Sequence, residues 1–227
     1  MSFELSKIVS WGRQHDEYVR MFDLSAADLK LNILSCADGP SGFNRKQHQD
    51  GHAVVSIDPL YRHSAEEIRE HVLAAKEEVL AQLQNNRDVF VWKRFRTPQE
   101  LVDARIAAME TFVADFDAGR EQGRYRAESL PELSFPAKSF DLAVCSHLLF
   151  TYSAHLDTAF HIAAVLEMTR VAREVRVFPL LDLNGHTSVH LPEVLAELSR
   201  HSVQAAVTPV PYELQRGGNQ MLRITCP

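Results

Sequence analysis

The strongest constraint on this fold is where two short apolar runs stop. Asn32-Ile33-Leu34-Ser35-Cys36-Ala37 runs into the turn Asp38-Gly39-Pro40-Ser41-Gly42, and Ala53-Val54-Val55-Ser56-Ile57 stops at Asp58-Pro59. Short apolar runs bounded by turn formers read as buried strands. Residues 43–50 between them can form a helix. Strands that alternate with helices imply a parallel sheet covered on both faces.

The rest of the chain repeats that alternation with one interruption. Residues 25–30 read as a short helix with Ser25 as N-cap and Asp28 three positions on. A long helical stretch starts at Ser64, where Glu67 completes a capping box, and keeps Ile68, Val72, Ala75, Val79 and Leu83 on one face. Val89–Arg96 interrupts it, and Thr97-Pro98-Gln99-Glu100 opens a second helix through Leu101, Ala104, Ala108, Phe112 and Phe116. Strands are expected at 124–130, 140–145 and 174–179, with helices at 155–172 and 191–200. Two more strands, 203–208 and 220–226, are joined through Gln215-Arg216-Gly217-Gly218-Asn219 with no helical pattern, so this last pair reads as antiparallel. The expected fold is therefore α/β, a doubly wound, mostly parallel seven-stranded sheet closing in an antiparallel hairpin. One Rossmann-like domain spans 1–227, with 62–123 as a helical cap insertion after the second strand.

Bulk properties remove several classes of function. With 24 Lys and Arg against 30 Asp and Glu, the net charge is -6, which disfavours nucleic-acid binding through a basic footprint. No apolar run approaches the length of a membrane span, and the start of the chain lacks an apolar core of signal-peptide length, so no membrane partner and a cytoplasmic location are expected. Cys36, Cys145 and Cys226 are far apart, as buried reduced thiols would be. Eleven histidines include His48 and His52 at i, i+4, but no companion Cys or Glu pattern makes a metal site, and none is expected.

In open α/β sheets ligands bind beyond the carboxyl ends of the strands, at the point where strand order reverses. Small residues at 35–42 let the backbone approach a ligand, and Asp58, nineteen residues after Gly39, can accept hydrogen bonds from both hydroxyls of a ribose. A glycine turn followed by an acid also occurs in α/β proteins with no cofactor, so the order and spacing of the whole set carry the reading.

These segments resemble class I S-adenosylmethionine (SAM)-dependent methyltransferases. Asn32–Phe43 is similar to their first motif and Val54–Pro59 to their second-strand acid motif. Leu133–His147, with Ser139-Phe140-Asp141-Leu142, is similar to the family's "LPF…SFDLV" segment. The resemblance covers roughly 30–60 and 124–226, and the closing antiparallel hairpin is usual in that family. It implies methyl transfer with SAM as cofactor and a small-molecule acceptor. Asp58 and Pro59 would lie at the ribose, and Cys36, Ala37, Asp38, Gly39 and Pro40 at the methionine portion. Glu128, Ser129 and Leu130 would lie near the adenine, with Cys145 and Ser146 under the methionine and sulfonium. The chain departs from the family where Ser35 replaces an acid and where Ala37 and Ser41 replace glycines. Asp38 can supply the acid only from three residues further on. A non-catalytic SAM-binding or partner-binding protein is the second reading.

His147 is the first candidate general base, because it follows the fourth strand and imidazole titrates near neutrality; a packing histidine is the plainer alternative. Tyr152 is a further catalytic candidate. Asp182, Asn184 and His186 fall in a loop after the fifth strand, where substrate should enter, although Asp182-Leu183-Asn184-Gly185 also suits a simple polar turn. Trp92, in Trp92-Lys93-Arg94-Phe95-Arg96, could stack on an acceptor or could be part of an amphipathic junction with its cations in water.

Overall fold

Four-residue strands of wholly apolar or small residues can be stable only between neighbours, and the computed structural model, which describes residues 11–226, puts them there. β1 (Ile33–Cys36) lies between β2 (Val54–Ile57) and β4 (Phe140–Ser146), parallel to both, with Ile33 opposite Val54 on one side and Leu142 on the other. β3 (Tyr125–Arg126) extends the sheet beyond β2, and β5 (Ala172–Phe178) pairs parallel with β4. β7 (Gln220–Thr225) then pairs antiparallel with both β5 and β6 (Gln204–Pro209), which gives the order β3-β2-β1-β4-β5-β7-β6. This is the mostly parallel, seven-stranded sheet with an antiparallel closing hairpin expected from the sequence, and the chain has the class I methyltransferase fold.

Alternation along the strands splits the core into two layers. Leu34, Cys36, Ala143, Cys145, Val175 and Val177 face α6 (Thr158–Val171) and α7 (Leu191–Arg200). Ile33, Leu142 and Val144 face Tyr18, Met21 and Phe22 from α1 (His15–Met21) and its C-cap, and Phe43 of α2 (Phe43–Gln49). Arg176 points into this second layer from β5. It is only 3% exposed, and it donates to the Phe22 carbonyl at 2.8 Å and to Glu174 at 2.6 Å. Pairing on that scale is what permits a buried guanidinium.

Between β2 and β3 the chain forms α3 (Ala65–Ala74), α4 (Lys76–Asn85) and the 24-residue α5 (Pro98–Glu121). The expected single helix from Ser64 has its capping box with Glu67, but it breaks at Ala75. The break lets its two halves serve different clusters: Ile68 packs with Phe112 and Phe116, while Val79 and Leu83 pack with Phe95, Leu101 and Tyr152. Two further expectations shrink. The 25–30 helix is a single turn at Asp28–Lys30, with Ser25 and Asp28 bonded reciprocally as the capping pattern predicts. The 124–130 strand keeps only two residues before Ser129 pairs with Glu132 in a local turn. α1 was not foreseen. Residues 1–10, part of the segment expected to lack a leader, lie outside the described residues. Among the described residues no helix is long and apolar enough to cross a membrane.

The α5 start is a local device that stands apart from the sheet. Thr97 Oγ1 accepts from Glu100 N at 3.1 Å, and Pro98 sits in the first turn. Thr97→Ala should lower stability by about 1 kcal/mol and Thr97→Ser should restore most of it, as read from urea denaturation midpoints.

Candidate functional site

The order of the sheet reverses between β1 and β4, and a cavity of about 600 Å³ opens there, beyond the carboxyl ends of the strands. β1 delivers Ala37, Asp38 and Gly39 to its wall, and β2 delivers Asp58 and Pro59. β4 adds Ser146 and His147, and β5 adds Phe178 and Pro179. Glu128, Ser129 and Leu130 line the side near β3, and Val79, Leu83, Leu101 and Arg105 line it from the helices between β2 and β3.

The first loop turns back on itself. Ala37 adopts a φ of 52° and Gly39 one of 56°, a left-handed conformation that a non-glycine residue enters at a cost. The reversal brings the Asp38 carboxylate back over β1. Oδ1 accepts from Ser35 Oγ at 2.7 Å and from Tyr18 Oη, and Oδ2 accepts from Ser56 Oγ at 2.6 Å. From three residues further on, the carboxylate therefore reaches Ser35, the residue that stands where the resemblance places an acid. Burial pushes its pKa up, and the hydroxyls that donate to it pull the other way.

Asp58 is tied to the same loop. Its Oδ2 accepts from Gly39 N at 3.0 Å and its Oδ1 from Leu60 N at 2.8 Å, while Tyr61 Oη donates to the Gly39 carbonyl at 2.7 Å. Burial raises Asp58 to about 6, against the pull of the two backbone N–H groups. The β1 turn and the β2 acid thus meet directly. Each carboxylate oxygen has two acceptor directions, so capacity remains for a further pair of donors.

His147 leaves β4 with a φ of 55°, its N–H donating to the Phe178 carbonyl at 2.8 Å. Its Nδ1 shares a 2.8 Å hydrogen bond with Ser146 Oγ, which leaves Nε2 as the nitrogen not engaged by any described residue. Burial, followed by the charges of Arg13 and Arg105, holds it well below the usual imidazole range, so the ring is neutral at neutral pH. Tyr152 lines the cavity as well, its ring packed with Leu83, Phe95, Leu101 and Val102.

Seven of the expected residues do not line this cavity. Cys36 and Cys145 point into the apolar layer under α6, where burial raises both thiols, Cys145 to about 12. Pro40 is covered by the segment before α1, so closely that a Cβ at Gly12 would meet its carbonyl oxygen at 1.8 Å. Asp182, Asn184 and His186 form a polar turn, with Asp182 Oδ1 accepting from the N–H groups of Asn184 and His186 at 2.8 and 3.0 Å; Leu183 reaches the wall instead. Trp92 Nε1 donates to the Arg87 carbonyl at 2.8 Å, and the Arg87 guanidinium lies over its ring, so it is a junction residue. Among the described residues no three His, Cys, Asp or Glu side chains gather as metal ligands.

No protein-family model matches the chain. It is 32% identical over 223 residues to the uncharacterized protein MJ0045 of Methanocaldococcus jannaschii, an alignment that covers 97% of each. The chain belongs to that protein's family. Among solved structures it is similar to N-methyltransferase NodS from Bradyrhizobium japonicum WM9, with a TM-score of 0.47, 13% identity, and coverage of 93% of this chain and 95% of that one. It is also similar to magnesium protoporphyrin IX methyltransferase (ChlM) from Synechocystis PCC 6803 with bound SAM, at 0.45 and 11%, covering 88% and 73%.

A buried charge cluster in this member of the MJ0045 family was missed in the sequence. Glu17 of α1, fully buried, accepts from Arg105 Nη1 at 2.6 Å, from Tyr212 Oη at 2.7 Å and from Gln14 N at 3.1 Å. Burial alone would raise its pKa, but the Arg105 charge and the donated hydrogen bonds hold it at about 2. One signal was available: Arg105 falls within the apolar stripe Leu101, Ala108, Phe112 and Phe116 of α5, where a solvent-facing arginine has no place.

A depressed carboxylate pKa stabilises the fold above its unfolded value of 4.5, and that contribution is lost as pH falls toward 2. At neutral pH Arg105→Met should destabilise the protein by about 3–5 kcal/mol, since it strands a buried charge. Glu17→Gln combined with Arg105→Met should recover most of the loss, measured by chemical denaturation.

Proposed function

We propose that this protein is a SAM-dependent methyltransferase acting on a small-molecule acceptor. The observation that carries the reading is the contact of the Asp58 carboxylate with Gly39 N at 3.0 Å, at the wall of a cavity beyond the carboxyl ends of the parallel strands.

The residues fit the cofactor. Asp58, at the end of β2, retains acceptor capacity for a ribose diol. The left-handed backbone at Ala37 and Gly39 brings main chain to the wall where a methionine portion would lie. Leu130 and Leu60 supply apolar surface for a base, with Glu128 and Ser129 beside them. When bound, SAM would supply a methyl group activated on a sulfonium.

The protein's own task is then to align a nucleophile and exclude water. The apolar wall of Leu83, Leu101, Tyr152 and Leu156 excludes water from the acceptor end. His147 Nε2 is a proton acceptor at the edge of the β4 loop; its lowered basicity suits a nucleophile that is already acidic. The helices between β2 and β3 would carry acceptor specificity. The bond from Ser35 to Asp38 restores a carboxylate at the altered first-motif position, which favours this reading over a non-catalytic SAM binder.

Isothermal titration with SAM tests the cofactor, and turnover with a pool of small molecules tests the transfer. Asp58→Asn should weaken binding by about 1–3 kcal/mol, the effect of losing hydrogen bonds to a charged group. Because the folded carboxyl keeps its proton up to about pH 6, against 3.8 unperturbed, SAM affinity should fall as pH drops through 6. The cofactor-free protein should instead lose stability as pH rises across the same window. An affinity that stays flat from pH 5 to 8 and is untouched by Asp58→Asn would remove Asp58 from this role.

A further inference from the structure

Among the described residues, eight buried side-chain nitrogen or oxygen atoms have no hydrogen-bond partner, and four of them belong to residues that line the cavity: Trp11 Nε1, Arg13 Nε, Arg105 Nη2 and Thr151 Oγ1. They come from three separate parts of the chain, the segment before α1, the first third of α5 and the loop after β4. Three of the four can only donate, and the fourth can donate. Unpartnered buried donors are rare unless a ligand, ion or water answers them, and these four belong to residues of one cavity.

The charges at this end have the same sign of imbalance. Arg13 and Arg105 are opposed by Glu17, whose oxygens are already taken by Arg105, Tyr212 and Gln14 N. Asp38 is held by the hydroxyls of Tyr18, Ser35 and Ser56 and makes no ion pair with either guanidinium among the described residues. The two guanidiniums are near enough for the charge of Arg105 to lower the Arg13 pKa, after burial itself. Arg13 makes no ion pair among the described residues, and it lines a wall that also includes Val79, Leu83, Leu101, Leu156 and Leu214.

We propose that the acceptor is an organic carboxylate on an apolar body, its carboxylate received by Arg13 and Arg105 with Thr151 and Trp11 as supporting donors. The proposal rests on the methyl-transfer reading and names the substrate class of the same site. A guanidinium fork matches a planar carboxylate, and Arg13 is a guanidinium with no carboxylate partner among the described residues. A neutral acceptor would leave Arg13 without an ion pair. The methionine tail of the cofactor also has a carboxylate, and titrating protein already loaded with the cofactor product separates the two.

The test is calorimetric titration of the protein saturated with S-adenosylhomocysteine (SAH), using 1-naphthoate and octanoate as probes and 1-naphthamide and octanamide as neutral controls. At least one carboxylate should bind about tenfold or more tightly than its amide, as loss of charge-assisted hydrogen bonds implies. Arg13→Gln should weaken that carboxylate by about tenfold and leave SAH within about threefold. Glu17→Gln with Arg105→Met, which removes one charge of each sign and leaves the net charge of the cluster unchanged, should weaken it likewise. Amides that bind as well as carboxylates, or binding of neither carboxylate, would overturn the proposal. So would a loss in Arg13→Gln that falls on SAH and spares the carboxylate, which would assign the arginine to the cofactor tail. If SAH does not bind while the unloaded protein still prefers carboxylate over amide, the methyl-transfer reading fails and the anion site stands.

Discussion

The floor of the cavity depends on one buried carboxylate. Asp38 collects hydroxyls from α1, β1 and β2 through Tyr18, Ser35 and Ser56, and so fastens the reversed first loop to three elements at once. Without those donors a carboxyl at this depth would have to give up its charge or its place. Held in this way, the loop presents Gly39 N to Asp58, and the strand-end acid is oriented from the side of β1 as well as from its own helical turn. The left-handed backbone at Ala37 is tolerated because the network around Asp38 over-determines it.

The sheet was legible in the sequence because its signals are local. Ile33–Cys36 and Val54–Ile57 are too short and too apolar to be anything but inner strands, and the Gly-Gly connection before β7 carries no helical pattern. The strand-end acid was legible for the same reason, since position along a strand fixes which end it faces. What failed to read out was direction. Cys36 and Cys145 flank the cavity in sequence, but the two-residue alternation turns them into the opposite layer. Pro40 was misjudged because its cover, the segment around Gly12, lies far away in sequence. The break at Ala75 has no proline or glycine to announce it and is set by which of two clusters each half-helix meets.

The charged end of the cavity shows a different kind of illegibility. Arg13, Glu17 and Tyr212 look like ordinary surface residues when each is read against its own neighbours. They acquire their character only when α1, α5 and the β6–β7 connection converge, so that Glu17 receives Arg105 from one side and Tyr212 from the other. A charge that is unremarkable in water becomes decisive when its solvent is replaced by a guanidinium and a buried phenol.

Helix α5 joins these regions mechanically. At about 1.5 Å per residue its 24 residues form a rod of roughly 36 Å. One end contributes Leu101 and Arg105 to the acceptor wall, while Phe112 and Phe116 pack on Tyr61 and Tyr125 beside the strand-end acid. A stiff rod cannot tilt at one end alone. On the proposed reading, recognition of the acceptor and alignment of the nucleoside are therefore geared together, and the helices between β2 and β3 cannot be exchanged between relatives as a cassette without disturbing the strand end on which α5 also packs.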